Sequence, residues 1–170
     1  MIEQLRPGSG DALAEVEALA AAMFHGGEAL SVTEEMSRPW SRLWSLRPSE
    51  GEPVAAFLVA WHVADELHII NVATAPAARR RGFGSELVQA ALGYAKEHRI
   101  RILLLEVRRS NRPAIKLYRS FGFVAMGVRK AYYSDNDEDA VEMALGLDPT
   151  TGERLSMRDE IHVDGAGEEH

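Results

Sequence analysis

Three features of this sequence put reactive residue types where they can act. The first is the turn Arg79-Arg80-Arg81-Gly82-Phe83-Gly84. Its glycines let a ligand approach the backbone closely, because no Cβ intervenes. A helix expected from Ser85 points free amide donors and the positive end of its peptide dipoles at any anion seated before it. With three arginine heads added, the turn reads as a pyrophosphate cradle. The second feature is Glu106, a carboxylate at the end of the apolar run 100–105. Burial there would favour its protonated form and make it a useful general base. The competing reading is a glutamate paired with Arg108 or Arg129. The third is Tyr118, on the helix that Asn111 starts and on the face shared with Ala114 and Phe121; its competing reading is a core tyrosine.

The elements that must hold these groups follow from periodicity. Residues 2–5 and 41–46 read as strands, and 54–64 with 67–74 as an antiparallel pair around Asp65. Residues 48–53 form a turn by composition. Asp11 is expected to cap a helix in which Leu13, Val16, Ala20 and Met23 share a face. Ser31-Val32-Thr33-Glu34 fits a capping box. Helix 85–98 carries Leu87, Ala91 and Ala95 four apart, beside Val88 and Leu92, which makes a core-facing stripe. The run 100–107 suits a strand covered on both faces. Asn111 caps the next helix, with Pro113 in its first turn and Gly122 closing it. Strands 123–129 and 140–147 flank an acidic loop, 134–139. The order predicts one α/β domain over 1–147, a mixed central sheet with helices on both sides. Residues 148–170 hold few large apolar groups and are expected to form a mobile polar tail.

Composition narrows the functional classes. The 170 residues include no cysteine, which excludes disulfides, thiolate metal sites and a cysteine nucleophile. The net charge of −7 argues against general nucleic-acid binding. Seven acidic and two basic residues in 148–170 account for −5 of it, leaving −2 for the rest. No apolar run nears the ~20 residues that span a bilayer. Met1-Ile2-Glu3-Gln4 lacks the basic and apolar regions of a signal peptide, so a cytoplasmic protein is expected. Histidines 25, 62, 68, 98, 162 and 170 show no metal-ligand spacing, and no metal is expected. His25-Gly26-Gly27 reads as a flexible loop near the substrate mouth. A Rossmann dinucleotide site is disfavoured, because the third glycine and the ribose-binding acid are missing.

The segment 71–145 resembles the GNAT superfamily of acetyl-CoA-dependent N-acetyltransferases. Their fingerprint, Gln/Arg-x-x-Gly-x-Gly/Ala after a strand, is matched by Arg79 to Gly84. A second block follows in order: Leu105-Glu106-Val107-Arg108-Arg109-Ser110-Asn111, Ala114-Ile115-Lys116-Leu117-Tyr118 and Phe121-Gly122-Phe123. These blocks, with Tyr132-Tyr133 and Glu138-Asp139-Ala140-Val141-x-Met143, are similar to the bacterial ribosomal-protein-alanine N-acetyltransferases (RimI type). That branch acetylates the N-terminal alanine of a small-subunit ribosomal protein.

The resemblance implies a GNAT-like, mostly antiparallel sheet flanked by helices. It implies acetyl-CoA as cosubstrate, held by Val72, Ala73, Thr74, Arg79, Arg80, Arg81, Gly82, Phe83, Gly84, Ser85 and Asn111. Main-chain amides of 72–74 would face the acetyl carbonyl, and Tyr118 would be the general acid for the departing thiolate. An N-terminal α-amine, with a pKa near 8 against about 10.4 for lysine, needs only a modest base, the role given to Glu106. Asp135, Asp137, Glu138 and Asp139 either draw in a cationic peptide start or form a solvated hairpin turn. The acceptor is then a protein N-terminus, of a ribosomal protein in the closest reading, with no direct nucleic acid and no membrane. The enzyme would be a monomer or homodimer. Two other functions fit: acetylation of a small-molecule amine or lysine side chain, and a non-catalytic acyl-CoA-binding regulatory module.

Overall fold

A computed structural model describes residues 1–24 and 30–163. The loop His25-Gly26-Gly27 lies outside the described residues, as do residues 164–170. In chain order the elements are β1 (Ile2–Leu5), α1 (Asp11–Met23), α2 (Val32–Ser37), β2 (Ser41–Leu46), β3 (Ala56–Val63), β4 (Glu66–Thr74), α3 (Phe83–Glu97), β5 (Ile102–Arg108), α4 (Arg112–Ser120), β6 (Val124–Tyr133) and β7 (Glu138–Gly146). They form the mixed, mostly antiparallel α/β architecture that the sequence predicts. The backbone groups into two compact units, Met1–Ala64 with Ile69–Tyr94, and Asp65–His68 with Ala95–His170.

In the first unit the strands run β1-β2-β3-β4. β1 is antiparallel to β2, with Ile2 opposite Leu46, and β2 to β3, with Ser41 opposite Trp61. Successive strand side chains point to opposite faces. Leu43, Phe57 and Val59 join Ala12, Val16 and Ala20 of α1 and Val32 of α2 in one apolar cluster. Trp44, on the other face, meets Tyr94 of α3 edge-on at 5.5 Å. Helices therefore cover both faces here, and residues 56–60 of β3 are all buried.

α1 differs from expectation at its start. Gly10 is the N-cap, with φ +62° and no side-chain cap, and Asp11 is already inside the first turn. There its charge still complements the helix dipole. Ser31 caps α2 as expected, accepting from the Glu34 amide at 3.3 Å. Glu35 is 4% exposed, but its carboxylate is fully occupied. It accepts from the Ser41 hydroxyl at 2.8 Å and the Trp61 indole at 2.9 Å, and it pairs with Arg38.

In the second unit β7 lies between β5 and β6. β5 and β7 are antiparallel, with Ile102 opposite Gly146 and Glu106 opposite Glu142. β5 is not covered on both faces, as its apolar run suggested. Leu103, Leu105 and Val107 are buried, while Ile102, Leu104, Glu106 and Arg108 are half-buried. The two charges share one face and keep it accessible. Asn111 caps α4, its Oδ1 accepting from the Ala114 amide at 3.2 Å, with Pro113 in the first turn. Ile115 and Tyr118 form the buried side of α4, and Ala114 is only half-buried. Gly122 follows with φ +99°, and a Cβ there would sit 3.4 Å from Leu145.

Residues 148–163 depart from the mobile tail read from composition. Leu147 bridges to Arg154, and the Gly146 amide donates to the Met157 sulfur at 3.2 Å. Arg154 donates to the Phe121 carbonyl at 3.1 Å. Asp159 Oδ1 accepts from Arg119 at 3.0 Å and from the Ala125 amide at 2.9 Å. Val163 is 3% exposed. Main-chain and charged partners fix this segment, which a count of large apolar groups does not register.

Candidate active site

The arginine–glycine turn lies in the first unit. A 3₁₀ turn, Pro76–Ala78, leads from β4 into Arg79, Arg80 and Arg81, all exposed. Arg80 has φ +67° and Gly82 φ +80°. Left-handed residues interleaved with ordinary ones turn successive amides into a concave anion nest. α3 begins at Phe83, two residues earlier than expected, so the amides of Phe83, Gly84 and Ser85 belong to its first turn and need partners from outside the helix. The Glu86 amide already donates to the Gly82 carbonyl at 3.1 Å. Phe83 is buried and anchors the turn, with the Arg81 guanidinium 4.8 Å above its ring. A Cβ built on Gly82 would meet nothing within 4 Å. The concavity is open, and its donors, its shape and its three cations suit a pyrophosphate. On β4, Ala73 is buried and Val72 and Thr74 are half-buried.

Glu106, on β5 of the second unit, is not the desolvated carboxylate expected. Its side chain is 29% exposed and lies in a polar cluster. Arg129 Nε stands 3.5 Å away and donates to Glu142 at 2.8 Å. Hydrogen bonding to Glu142 and the charge of Glu106 hold the Arg129 guanidinium above its ordinary pKa. The Glu106 carboxylate beside it, with partial burial, pushes the Tyr132 phenol above its ordinary pKa. Of the two pairings considered from sequence, that with Arg129 lies at 3.5 Å. Arg108 turns to Asp135 at 3.0 Å and Glu138 at 3.5 Å, and lies 4.0 Å over the Tyr133 ring.

Tyr118 is 6% exposed, its ring edge-on to Phe123 at 5.6 Å. Burial first, then the neighbouring Tyr133, pushes its phenol well above the ordinary range, so it stays neutral at any physiological pH. Asn111 uses only its oxygen in the helix cap, which leaves the amide nitrogen outside that bond.

The acidic loop is paired with cations on the segments beside it. Besides Asp135 and Glu138 on Arg108, Asp139 faces Lys130 at 3.1 Å and Arg109 at 4.0 Å. Glu138 is held below its ordinary pKa by Ser110, and Asp139 by the Ala131 amide and Lys130. An open cleft of about 500 Å³ is lined by Arg109, Ser110, Arg112, Asp137, Glu138 and Asp139. Sequence reasoning passed over Glu142, and took Tyr132 only as part of the Tyr132-Tyr133 motif. The signal for Glu142 was the one that marked Glu106, a lone carboxylate inside an apolar strand. Among the described residues no cluster of three or more His, Cys, Asp or Glu could hold a metal ion, and no helix is long and apolar enough to cross a membrane.

Comparison with known proteins adds family context. Residues 13–123 match the model of the acetyltransferase (GNAT) family. The ribosomal protein bS18-alanine N-acetyltransferase of Escherichia coli K12 is 34% identical over 121 residues, covering 64% of this chain and 82% of that one. A Bacillus subtilis protein provisionally given the same name is 43% identical over 90 residues, 53% of this chain and 60% of its own length. The crystal structure of the E. coli enzyme superposes with TM-score 0.72 at 28% identity, covering 95% of this chain and 97% of that one. Arabidopsis thaliana NAA60 in complex with acetyl-CoA shares the fold at TM-score 0.70 and 17% identity, over 85% and 96% of the two chains.

Proposed function

Because the chain belongs to the GNAT acetyltransferase family, we propose that it transfers the acetyl group of acetyl-CoA to a protein N-terminal amine, that of an alanine-first small-subunit ribosomal protein. Two relatives carrying the bS18-alanine name, at 34% and 43% identity, support that acceptor. A ribosomal acceptor places the work in the cytoplasm.

Acetyl transfer forms a C–N bond and breaks a C–S bond; the amine gives up a proton and the sulfur takes one. In this reading the amides of residues 83–85 and the arginines 79–81 hold the pyrophosphate, with Asn111 contacting the pantetheine arm. Amides of Val72, Ala73 and Thr74 face the carbonyl oxygen, where a preorganised donor contributes typically ~3–4 kcal/mol. Glu106 accepts the amine proton at a carboxylate oxygen. Its accessible position suits an α-amine, which needs less help than lysine. Tyr118 presents a neutral O–H to the sulfur. Even an ordinary tyrosine, near 10, is a weaker acid than a thiol near 8.5, so Tyr118 stabilises the departing thiolate by donating a hydrogen bond; the sulfur then takes its proton from solvent, to which Glu106 returns the one it accepted.

The observation that carries the reading is the accessible Glu106 on β5 together with a neutral, buried Tyr118 on α4. A module that only binds acyl-CoA needs neither. The test is release of free thiol from acetyl-CoA with a panel of Ala-Arg-starting peptides, lysine peptides and aminoglycosides. The enzyme contributes no thiol background, because it has no cysteine. Preference for the Ala-Arg start supports the proposal. Turnover only with lysine or aminoglycoside acceptors, or tight CoA binding with no turnover, overturns it.

A further inference from the structure

Glu106 and Glu142 stand directly opposite each other across β5 and β7. Like charges in that register repel, and one guanidinium, from Arg129 on β6, serves both. It does not serve them equally. Arg129 Nε donates to Glu142 Oε1 at 2.8 Å but lies 3.5 Å from Glu106 Oε1. The first is a hydrogen bond; the second is an ion pair beyond the usual N–H···O range. Tyr132 completes the arrangement, its ring 5.6 Å from the guanidinium. Gly127 on β6 is the register partner of Glu142.

We propose that Glu142 is a positioning residue: by taking the Arg129 hydrogen bond it keeps the guanidinium off Glu106 and leaves that carboxylate able to accept the amine proton. The inference rests on the reading of Glu106 as the base. A carboxylate locked in a hydrogen-bonded arginine pair is held in its charged form and is a poorer proton acceptor. The second carboxylate takes the Arg129 hydrogen bond at 2.8 Å and leaves the guanidinium 3.5 Å from Glu106, outside hydrogen-bond range. Glu106, Glu142 and Arg129 together carry one net negative charge, which an accepted proton brings to zero.

The test compares Glu142→Gln, Arg129→Gln, the double variant and Glu106→Gln. Each is assayed at saturating acetyl-CoA with the best acceptor of the panel, and melting temperatures are recorded. Glu142→Gln is expected to lower kcat about tenfold, because the released arginine turns to Glu106 and weakens it as a base. KM for acetyl-CoA stays unchanged. Removing the arginine as well restores kcat to within about threefold of wild type, since nothing then traps the base. A merely structural Glu142 gives a double variant no better than the single one, and that result overturns the proposal, as does wild-type kcat in Glu142→Gln. Wild-type turnover in Glu106→Gln refutes the base itself. An inactive Glu106→Gln with an unaffected Glu142→Gln refutes the positioning role alone.

Discussion

Substituting Gly82 by alanine tests the proposed cradle with a single methyl group. Gly82 sits at φ +80°, and its added Cβ would meet no atom within 4 Å, so the effect is conformational, not steric. An L-residue held in left-handed geometry costs roughly 1–2 kcal/mol. That cost has two places to appear. If the turn keeps its shape, stability falls by that amount, and a chain of this size loses about 2–4 °C in melting temperature per kcal/mol. If the turn relaxes, the first-turn amides of α3 lose their aim, and acetyl-CoA must restore it on binding; affinity then falls about 5–30-fold. Gly93, inside α3, is the control. It too has open space around a would-be Cβ, but it is helical, so alanine there stabilises by about 1 kcal/mol. Calorimetric melting and acetyl-CoA titration of both variants decide the matter. Gly82→Ala that melts and binds like wild type, while Gly93→Ala gains its few degrees, would refute the left-handed turn as a phosphate-holding device.

Tyr118→Phe and Glu106→Gln should each lower kcat roughly a hundredfold while acetyl-CoA affinity changes little, as read by steady-state kinetics beside calorimetry. Asp159→Ala removes the acceptor of the Ala125 amide, whose residue is fully buried, and should cost about 2 kcal/mol, or ~4–8 °C, in a melting curve. Asp159→Asn, which keeps an oxygen, should cost less than half of that; equal melting of Asp159→Ala and wild type would show the segment is not docked. Glu138 and Asp139 have folded pKa values below their ordinary ones, so their stabilisation is present above those ordinary values and lost as pH falls below about 4.5. Replacing both by their amides should flatten the fall in melting temperature between about pH 5 and about pH 3.

Much of this fold was legible in the sequence because its signals were local. Ile2–Leu5 and Ser41–Leu46 match the predicted strands, and Ser31 and Asn111 cap as their types suggest. Local reading failed where partners distant in sequence decided the outcome. Apolar composition in 100–107 suggested cover on both faces, yet the face shared by Glu106 and Arg108 stays accessible because ion pairs from β6, β7 and the acidic loop satisfy it. The same blindness hid Glu142, whose importance lies in standing opposite Glu106 on a strand 36 residues away. Residues 148–163 were misjudged for a related reason. Asp159 gains its hold from Arg119 and Ala125, and no count of apolar groups weighs such bonds.

The helix carrying Tyr118 has nine residues, too few to stand alone in water. It is braced from outside: Asn111 at its head, Gly122 at its foot, Phe123 against the ring and Asp159 on Arg119. The aim of the phenol is thus a property of the bracing, and part of that bracing comes from the C-terminal stretch. If Tyr118 acts as proposed, a fusion partner or truncation that loosened this stretch would act as a dimmer on turnover. It would do so with every reactive group intact.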